Sequence, residues 1–141
     1  MAEPPSRPLP NAAELDTAPF WLATRAEEFR FQQCDQCGTI VWYPRAHCTG
    51  CVKGNLIWRR ASGTGRIYSF SVVRQSYHPF FRQQVPYAVA YVDLDEGPRF
   101  MTNVIDVDDP GEDLYIGQAV EIVWERHESL SVPLVRPLPR G

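Results

Sequence analysis

All four cysteines of this chain fall inside one stretch, CDQCGTIVWYPRAHCTGC, residues 34–51. They form two Cys-x-x-Cys pairs, Cys34 with Cys37 and Cys48 with Cys51, separated by ten residues. Each pair makes a tight turn that brings two sulfurs to one side. Two such turns facing each other supply a tetrahedral set of four soft donors, which Zn2+ favours, with sulfur about 2.3 Å from the metal. Gly38 directly follows the first pair, where such a turn often needs a positive φ. The gap between the pairs is shorter than in the commonest zinc template. It still allows a short hairpin, with TIVWYP running out and RAH returning.

Four thiolates leave no open coordination position, so the predicted role of the metal is structural rather than hydrolytic. Apparent binding free energies of such sites, about 10–16 kcal/mol, match or exceed the roughly 5–15 kcal/mol that stabilises a typical domain. A segment with too small a core to fold alone can therefore be organised by its metal. The same sulfurs also suit iron, with one-electron chemistry. Two disulfides would need an oxidising compartment, and a redox Cys-x-x-Cys would not need its twin. His47 sits beside Cys48 and reads as a loop residue, given four thiols.

The rest of the composition supports a packed globular chain: 44% of the 141 residues are apolar and 22% charged. Fourteen basic and 17 acidic residues give a net charge of −3, which supplies no basic footprint for nucleic acid. No apolar run is long enough to span a membrane. The opening MAEPPSRPLP has neither the basic start nor the apolar stretch of a signal peptide, so a cytoplasmic location is expected.

Along the chain, residues 1–17 read as a flexible, proline-rich lead. An N-terminal helical segment follows over 18–33, with the helix itself at about 18–30. Asp16 or Thr17 is its cap, Pro19 lies in its first turn, and Leu22, Ala26 and Phe29 form one face. Its aromatics, Phe20 and Trp21, are expected to dock onto the same domain, the alternative being a surface for a partner protein. Residues 34–60 form the metal ribbon, ending in a strand-like NLIWRR, and ASGTGR marks a boundary near residue 62. Residues 61–141 then carry five short strands: RIYSFSVVR, PYAVAYVDL, PRFMTNVID, QAVEIVWER and SLSVPLVRP. The first puts Tyr68, Phe70 and Val72 on one face. The second reads as covered on both faces, and Pro133 marks the last as an edge or bulged strand. Five short strands with turns between them predict a small barrel or sandwich.

Little else carries chemistry. No G-x-S-x-G, P-loop or GxGxxG occurs. The carboxylates Asp93, Asp95 and Glu96, and Asp106, Asp108 and Asp109, read as solvated turns rather than an acid–base pair. The loop RQSYHPFFRQQVPY, residues 74–87, is different. Tyr77, His78, Phe80 and Phe81 either meet a ligand or partner, or fold back to plug the barrel end.

In order, the PFW helix, the ribbon with YPR before its second pair, SGTGRIYSFSVV, HPFF…VPYAVAYVDLDEGPRFMTN and IGQAVEIVWE resemble one bacterial and archaeal family. It is a "domain of unknown function" family associated with acyl-CoA metabolism, and the likeness covers about residues 18–137. The resemblance implies a mainly β chain: an N-terminal helix, a rubredoxin-like zinc ribbon and a five-stranded OB-fold barrel. It implies a non-catalytic accessory subunit or domain of a thiolase-like complex, thiolase or lipid-transfer-protein-like aldolase, acting on acyl-CoA thioesters, with an enoyl-CoA hydratase as a further companion. A CoA thioester would be bound at the complex, steroid side-chain or lipid degradation being one version. Carried onto this sequence, Cys34, Cys37, Cys48 and Cys51 hold structural Zn2+, no residue is catalytic, and Tyr77, His78, Phe80 and Phe81 contact the partner or CoA. The alternatives are an OB-fold that binds single-stranded nucleic acid, against which the acidic balance argues, and an electron carrier with iron in its ribbon.

Overall fold

The helix expected over residues 18–30 ends at Thr24. In a computed structural model describing residues 4–139, α1 spans Ala18–Thr24. The outermost parts of the lead and of the C-terminal segment, residues 1–3 and 140–141, lie outside the described residues. Pro19 occupies the first turn, and Thr17 at the N-cap makes no side-chain cap bond. Glu27 stops the helix by adopting φ 59°, and the Glu28 N–H reaches back to the Ala23 carbonyl at 3.1 Å. Phe29 then enters the core ahead of β1 (Arg30–Cys34). Leu22 is consequently 64% exposed, while Phe20, Trp21 and Thr24 are buried. Burial of Phe29 and Phe31 on an extended chain overrides the helical spacing.

β1 is the centre of a three-stranded antiparallel ribbon sheet, flanked by β2 (Ile40–Val41) and β3 (Leu56–Arg60). The return arm of the expected hairpin is held by a side chain instead of a strand. Buried Gln32 donates from Nε2 to the Arg45 carbonyl at 3.0 Å and accepts from the Arg45 N–H at 2.8 Å. Both ends of its amide are thereby satisfied.

All five strands expected after residue 61 are present: β4 (Thr64–Val73), β5 (Tyr87–Leu94), β6 (Arg99–Val104), β7 (Ala119–Arg126) and β8 (Ser131–Pro137). They close into a barrel in the order β4-β5-β6-β8-β7, the OB-fold arrangement. Short helices α2 (Pro79–Arg82) and α3 (Pro110–Asp113) lie in the β4–β5 and β6–β7 connections. Three sequence expectations change. A bulge between Ile67 and Ser69 turns Tyr68 outward, so it does not share a face with Phe70. β5 is covered on one face: Ala88, Ala90, Val92 and Leu94 are buried while Tyr91 is 47% exposed. β8 is not an edge. Pro133 lies at its seam with β6, where Val104 pairs with Val135 and the Thr102 hydroxyl donates to the Pro133 carbonyl at 2.5 Å.

Helix, ribbon and barrel share one core. Phe29 packs at a tilt against Trp42 of the ribbon, 4.9 Å between ring centroids, and against Phe100 of β6 at 4.8 Å. Phe20 joins the same cluster, 5.1 Å from Trp42. Buried Thr24 pins α1 to β8, because its hydroxyl donates to the Trp21 carbonyl at 2.6 Å and accepts from the Ser131 N–H at 3.1 Å.

Candidate functional site

The four sulfurs expected to meet do so: Cys34, Cys37, Cys48 and Cys51 place their Sγ atoms within 4.8 Å of one another. Cys34 lies 3.6 Å from Cys51, and Cys37 3.5 Å from Cys48. These distances are far beyond the roughly 2.05 Å of a disulfide. They are near the edge of about 3.8 Å that a sulfur tetrahedron has around a metal at 2.3 Å. The donor set is therefore the right size for Zn2+ and closed. His47 is exposed and outside the cluster.

The surroundings favour thiolate. Backbone N–H groups of Gly50 and Cys51 approach Cys48 Sγ at 3.3 and 3.5 Å, and that of Gly54 approaches Cys51 Sγ at 3.4 Å. The Thr39 hydroxyl lies 3.0 Å from Cys37 Sγ. That hydroxyl, with the Thr39 backbone N–H, holds the Cys37 thiol down to about 6. Cys48 is lowered as well, first by the Cys51 N–H. For Cys34, the N–H groups of Cys37 and Gln36 act downward. Burial and the adjacent Cys51 and Cys37 thiols outweigh them and push it up to about 11. A thiol so placed needs a cation to ionise, which a divalent metal supplies. Gly54 is required by close approach, since a Cβ there would fall onto Cys34 Sγ.

Beside the ribbon lies an open cleft of about 470 Å3. Its walls come from separate segments: Phe20 and Trp21 of α1, Trp42 and Tyr43 between the cysteine pairs, and Phe81 of α2. Tyr87 and Val89 of β5, Met101–Asn103 of β6 and Val132–Leu134 of β8 complete it, with Arg7 of the lead alongside. It thus occupies the second and third barrel strands, a usual OB-fold binding face.

The loop residues divide. Tyr77 is 83% exposed. His78 caps α2, its Nδ1 accepting from the Phe80 N–H at 3.1 Å. Phe80 and Phe81 are half-buried beneath Arg7, whose guanidinium carbon lies 4.9 and 5.6 Å from their ring centroids. Within this loop Tyr77 faces outward and the two Phe rings fold back beneath Arg7. Arg7 was invisible to sequence reasoning, which made its segment a flexible lead. It donates to both Glu125 carboxylate oxygens, at 2.7 and 3.2 Å, and to Asn103 Oδ1 at 3.2 Å. Glu125 also meets His127 Nε2 at 2.7 Å. Trp21, Trp42 and Tyr43 were likewise missed as cleft walls. The signal that could have found them is the aromatic run in the ribbon hairpin.

Several carboxylates of the two clusters make structural contacts. Asp93 takes both donors of Arg99 at 2.6 and 3.2 Å, and Asp95 accepts from the Thr64 hydroxyl at 2.5 Å. Asp109 caps α3 by accepting from the Gly111 N–H at 3.1 Å. Among the described residues, the four cysteines form the one His/Cys/Asp/Glu group with metal-ligating geometry. No described helix is long and apolar enough to cross a membrane.

Residues 21–56 match the family description "ChsH2, rubredoxin-like zinc ribbon domain", and residues 58–125 match "ChsH2, C-terminal OB-fold domain". A "DUF35 domain-containing scaffold protein" of Methanothermobacter thermautotrophicus is 37% identical over 95 residues, 67% of this chain and 69% of that protein. This chain belongs to the DUF35 family. The DUF35 chain is also 34% identical over 134 residues, 93% of its length, to a "Probable enoyl-CoA hydratase alpha subunit" of Thermomonospora curvata, of which it spans 40%. In a solved structure described as "Ltp2-ChsH2(DUF35) aldolase", a matching chain superposes with a TM-score of 0.78 at 32% identity. The match covers 93% of this DUF35 chain and 98% of that one. The zinc-ribbon match and a four-sulfur cluster of tetrahedral size agree on structural Zn2+ as the metal of this ribbon.

Proposed function

We propose that this DUF35 chain is a non-catalytic accessory subunit of a thiolase-like aldolase that makes or breaks C–C bonds in acyl-CoA thioesters, in steroid side-chain or lipid degradation. The observation that carries the reading is the 98% coverage, at 32% identity, of the matching chain in the Ltp2-ChsH2(DUF35) aldolase structure. The chemistry of the chain is compatible with it. Cys34, Cys37, Cys48 and Cys51 are the proposed Zn2+ ligands, and a metal they hold has no open position for substrate or water. Its contribution is shape: the four thiolates tie the two ends of the ribbon hairpin together. The carboxylates with assigned contacts hold turns, helix caps and ion pairs. The reactive groups in this reading belong to the partner.

The proposed contact region is the 74–87 loop and the adjoining barrel face. Tyr77 is exposed at its tip, and His78, Phe80 and Phe81 fix its shape. An enoyl-CoA hydratase is the further partner in this reading, in line with the name of the Thermomonospora relative. The test is co-expression with a thiolase-like aldolase encoded beside this chain, followed by size-exclusion chromatography and a retro-aldol assay on a β-hydroxyacyl-CoA. A stable complex whose activity depends on this chain is expected. No complex and unchanged aldolase activity would overturn the proposal, as would turnover of the thioester by this chain alone.

A further inference from the structure

The proline-rich lead is fastened to the barrel by one side chain. Four of residues 4–10 are prolines, which carry no N–H, and among the described residues no backbone hydrogen bond joins this segment to the body. Its hydrogen bonds to the body all come from Arg7, whose side chain is 12% exposed while Ser6 and Pro8 on either side are exposed. The receiving surface is shaped for a guanidinium group. Nε and Nη2 donate to the two oxygens of Glu125, and Nη1 donates to Asn103 Oδ1. Phe80 and Phe81, their rings 5.0 Å apart and nearly perpendicular, lie against the same cation. His127 Nε2 braces Glu125 Oε1 at 2.7 Å. A planar fork with donors on three nitrogens matches these acceptors, whereas a lysine ammonium does not span them. The same arginine stands at a junction. Arg7, Phe81, Tyr87 and Asn103 line both the 470 Å3 cleft and a second one of about 210 Å3.

We infer that Glu125, Asn103, Phe80 and Phe81 form an exchangeable arginine-binding socket, filled here by the chain's own lead and open to an arginine from an extended, proline-flanked segment of another polypeptide. Recognition is of the side chain and not of the backbone that bears it, so a peptide with the Ser-Arg-Pro pattern of residues 6–8 can take the place of the lead. With its hydrogen bonds made through one residue, the lead leaves in a single step, and its departure removes a wall shared by the two clefts. Every contact lies within this chain, so the socket stands apart from the aldolase partnership.

The zinc-loaded full chain carrying Arg7→Ala vacates the socket. Ethylguanidinium at millimolar concentration should raise the Tm of this variant and leave that of the wild type unchanged, while ethylammonium should have little effect on either. Fluorescein-labelled PSRPLP, a copy of residues 5–10, should bind Arg7→Ala saturably in fluorescence anisotropy, and the same peptide with alanine for arginine should not. Adding Glu125→Gln to Arg7→Ala should abolish both responses. In the wild type the lead competes from within the chain. Hydrogen bonds to a charged group hold it closed over open by about tenfold or more, so the peptide should bind the wild type weaker by that factor. Peptide in large excess should still displace the lead, read as loss of the Arg7 Nε–H signal in 15N NMR, an arm that stands even should Arg7→Ala fail to fold. Equal responses of Arg7→Ala and wild type to ethylguanidinium, or an equal effect of ethylammonium, would overturn the socket. So would peptide binding that survives Glu125→Gln, or an Arg7 signal untouched by excess peptide.

Discussion

Replacing Arg7 with Ala severs the proline-rich lead from the barrel. The Arg7 side chain is 12% exposed and that of Glu125 31%, so the pair lies between a surface ion pair and a buried one. Exposed pairs contribute about 0–1 kcal/mol, and hydrogen bonds to charged groups about 1.5–3 kcal/mol. Arg7 makes two to Glu125, one to Asn103, and lies over Phe80 and Phe81. The ring contacts add about 0.5–1 kcal/mol. Against this stands about 1–2 kcal/mol for ordering a long side chain. The net expected loss in Arg7→Ala is about 1.5–3 kcal/mol, or roughly 5–12 °C in Tm for a chain of this size. Burial pushes the Glu125 carboxyl up, but Arg7 and His127 outweigh it and hold it below the ordinary range. A depressed carboxylate contributes stability that is present above its unfolded pKa, about 4.3, and lost as pH falls through its folded value. The difference between wild-type and Arg7→Ala melting curves should therefore be largest at pH 7 and shrink as pH falls through the depressed Glu125 pKa, leaving the part due to Asn103 and the two Phe rings. Thermal melts of Arg7→Ala, Glu125→Gln and the double variant measure the coupling directly. A coupling near zero, with an unchanged Tm at pH 7, would refute the docking of the lead.

Thr24→Val keeps the shape but leaves the buried Ser131 N–H without its acceptor, so urea unfolding should register a loss of about 1–3 kcal/mol. Gly54→Ala forces a methyl onto Cys34 Sγ; competition against a chromophoric chelator should show zinc affinity reduced about 10–100-fold. Cys37→Ser should release zinc and loosen residues 34–58 while the barrel amides stay protected in hydrogen exchange; full metal content in this variant would mean that the ligand set is wrong. The purified metal-loaded protein should be colourless, since an iron tetrathiolate absorbs visible light and zinc does not.

The barrel strands could be read in advance because Gly, Asp and Pro turns separate short alternating runs, and each strand is specified locally. The cysteines could be read because a metal fixes their meeting regardless of what lies between. The helix end could not. Arg25–Phe29 contains neither Gly nor Pro, and the left-handed turn at Glu27 is imposed by the packing of Phe29. Tyr68 changes face through a bulge, which shifts a period-two pattern without altering its composition. Arg7 finds Glu125 118 positions away, and a contact of that kind leaves no trace in local sequence. The cleft has the same origin: its walls come from the lead, α1, the ribbon, α2 and three barrel strands, none of them pocket-like alone.

Trp42 and Tyr43 stand in the span between the two cysteine pairs, and they also line the cleft. That span is anchored at both ends by sulfur and in its middle by the Gln32–Arg45 clasp, so it cannot swing as an ordinary hairpin tip would. Whatever rests against these two rings leans on a panel whose hinges are fastened by an ion, and zinc starvation would slacken the panel before it unravelled the barrel.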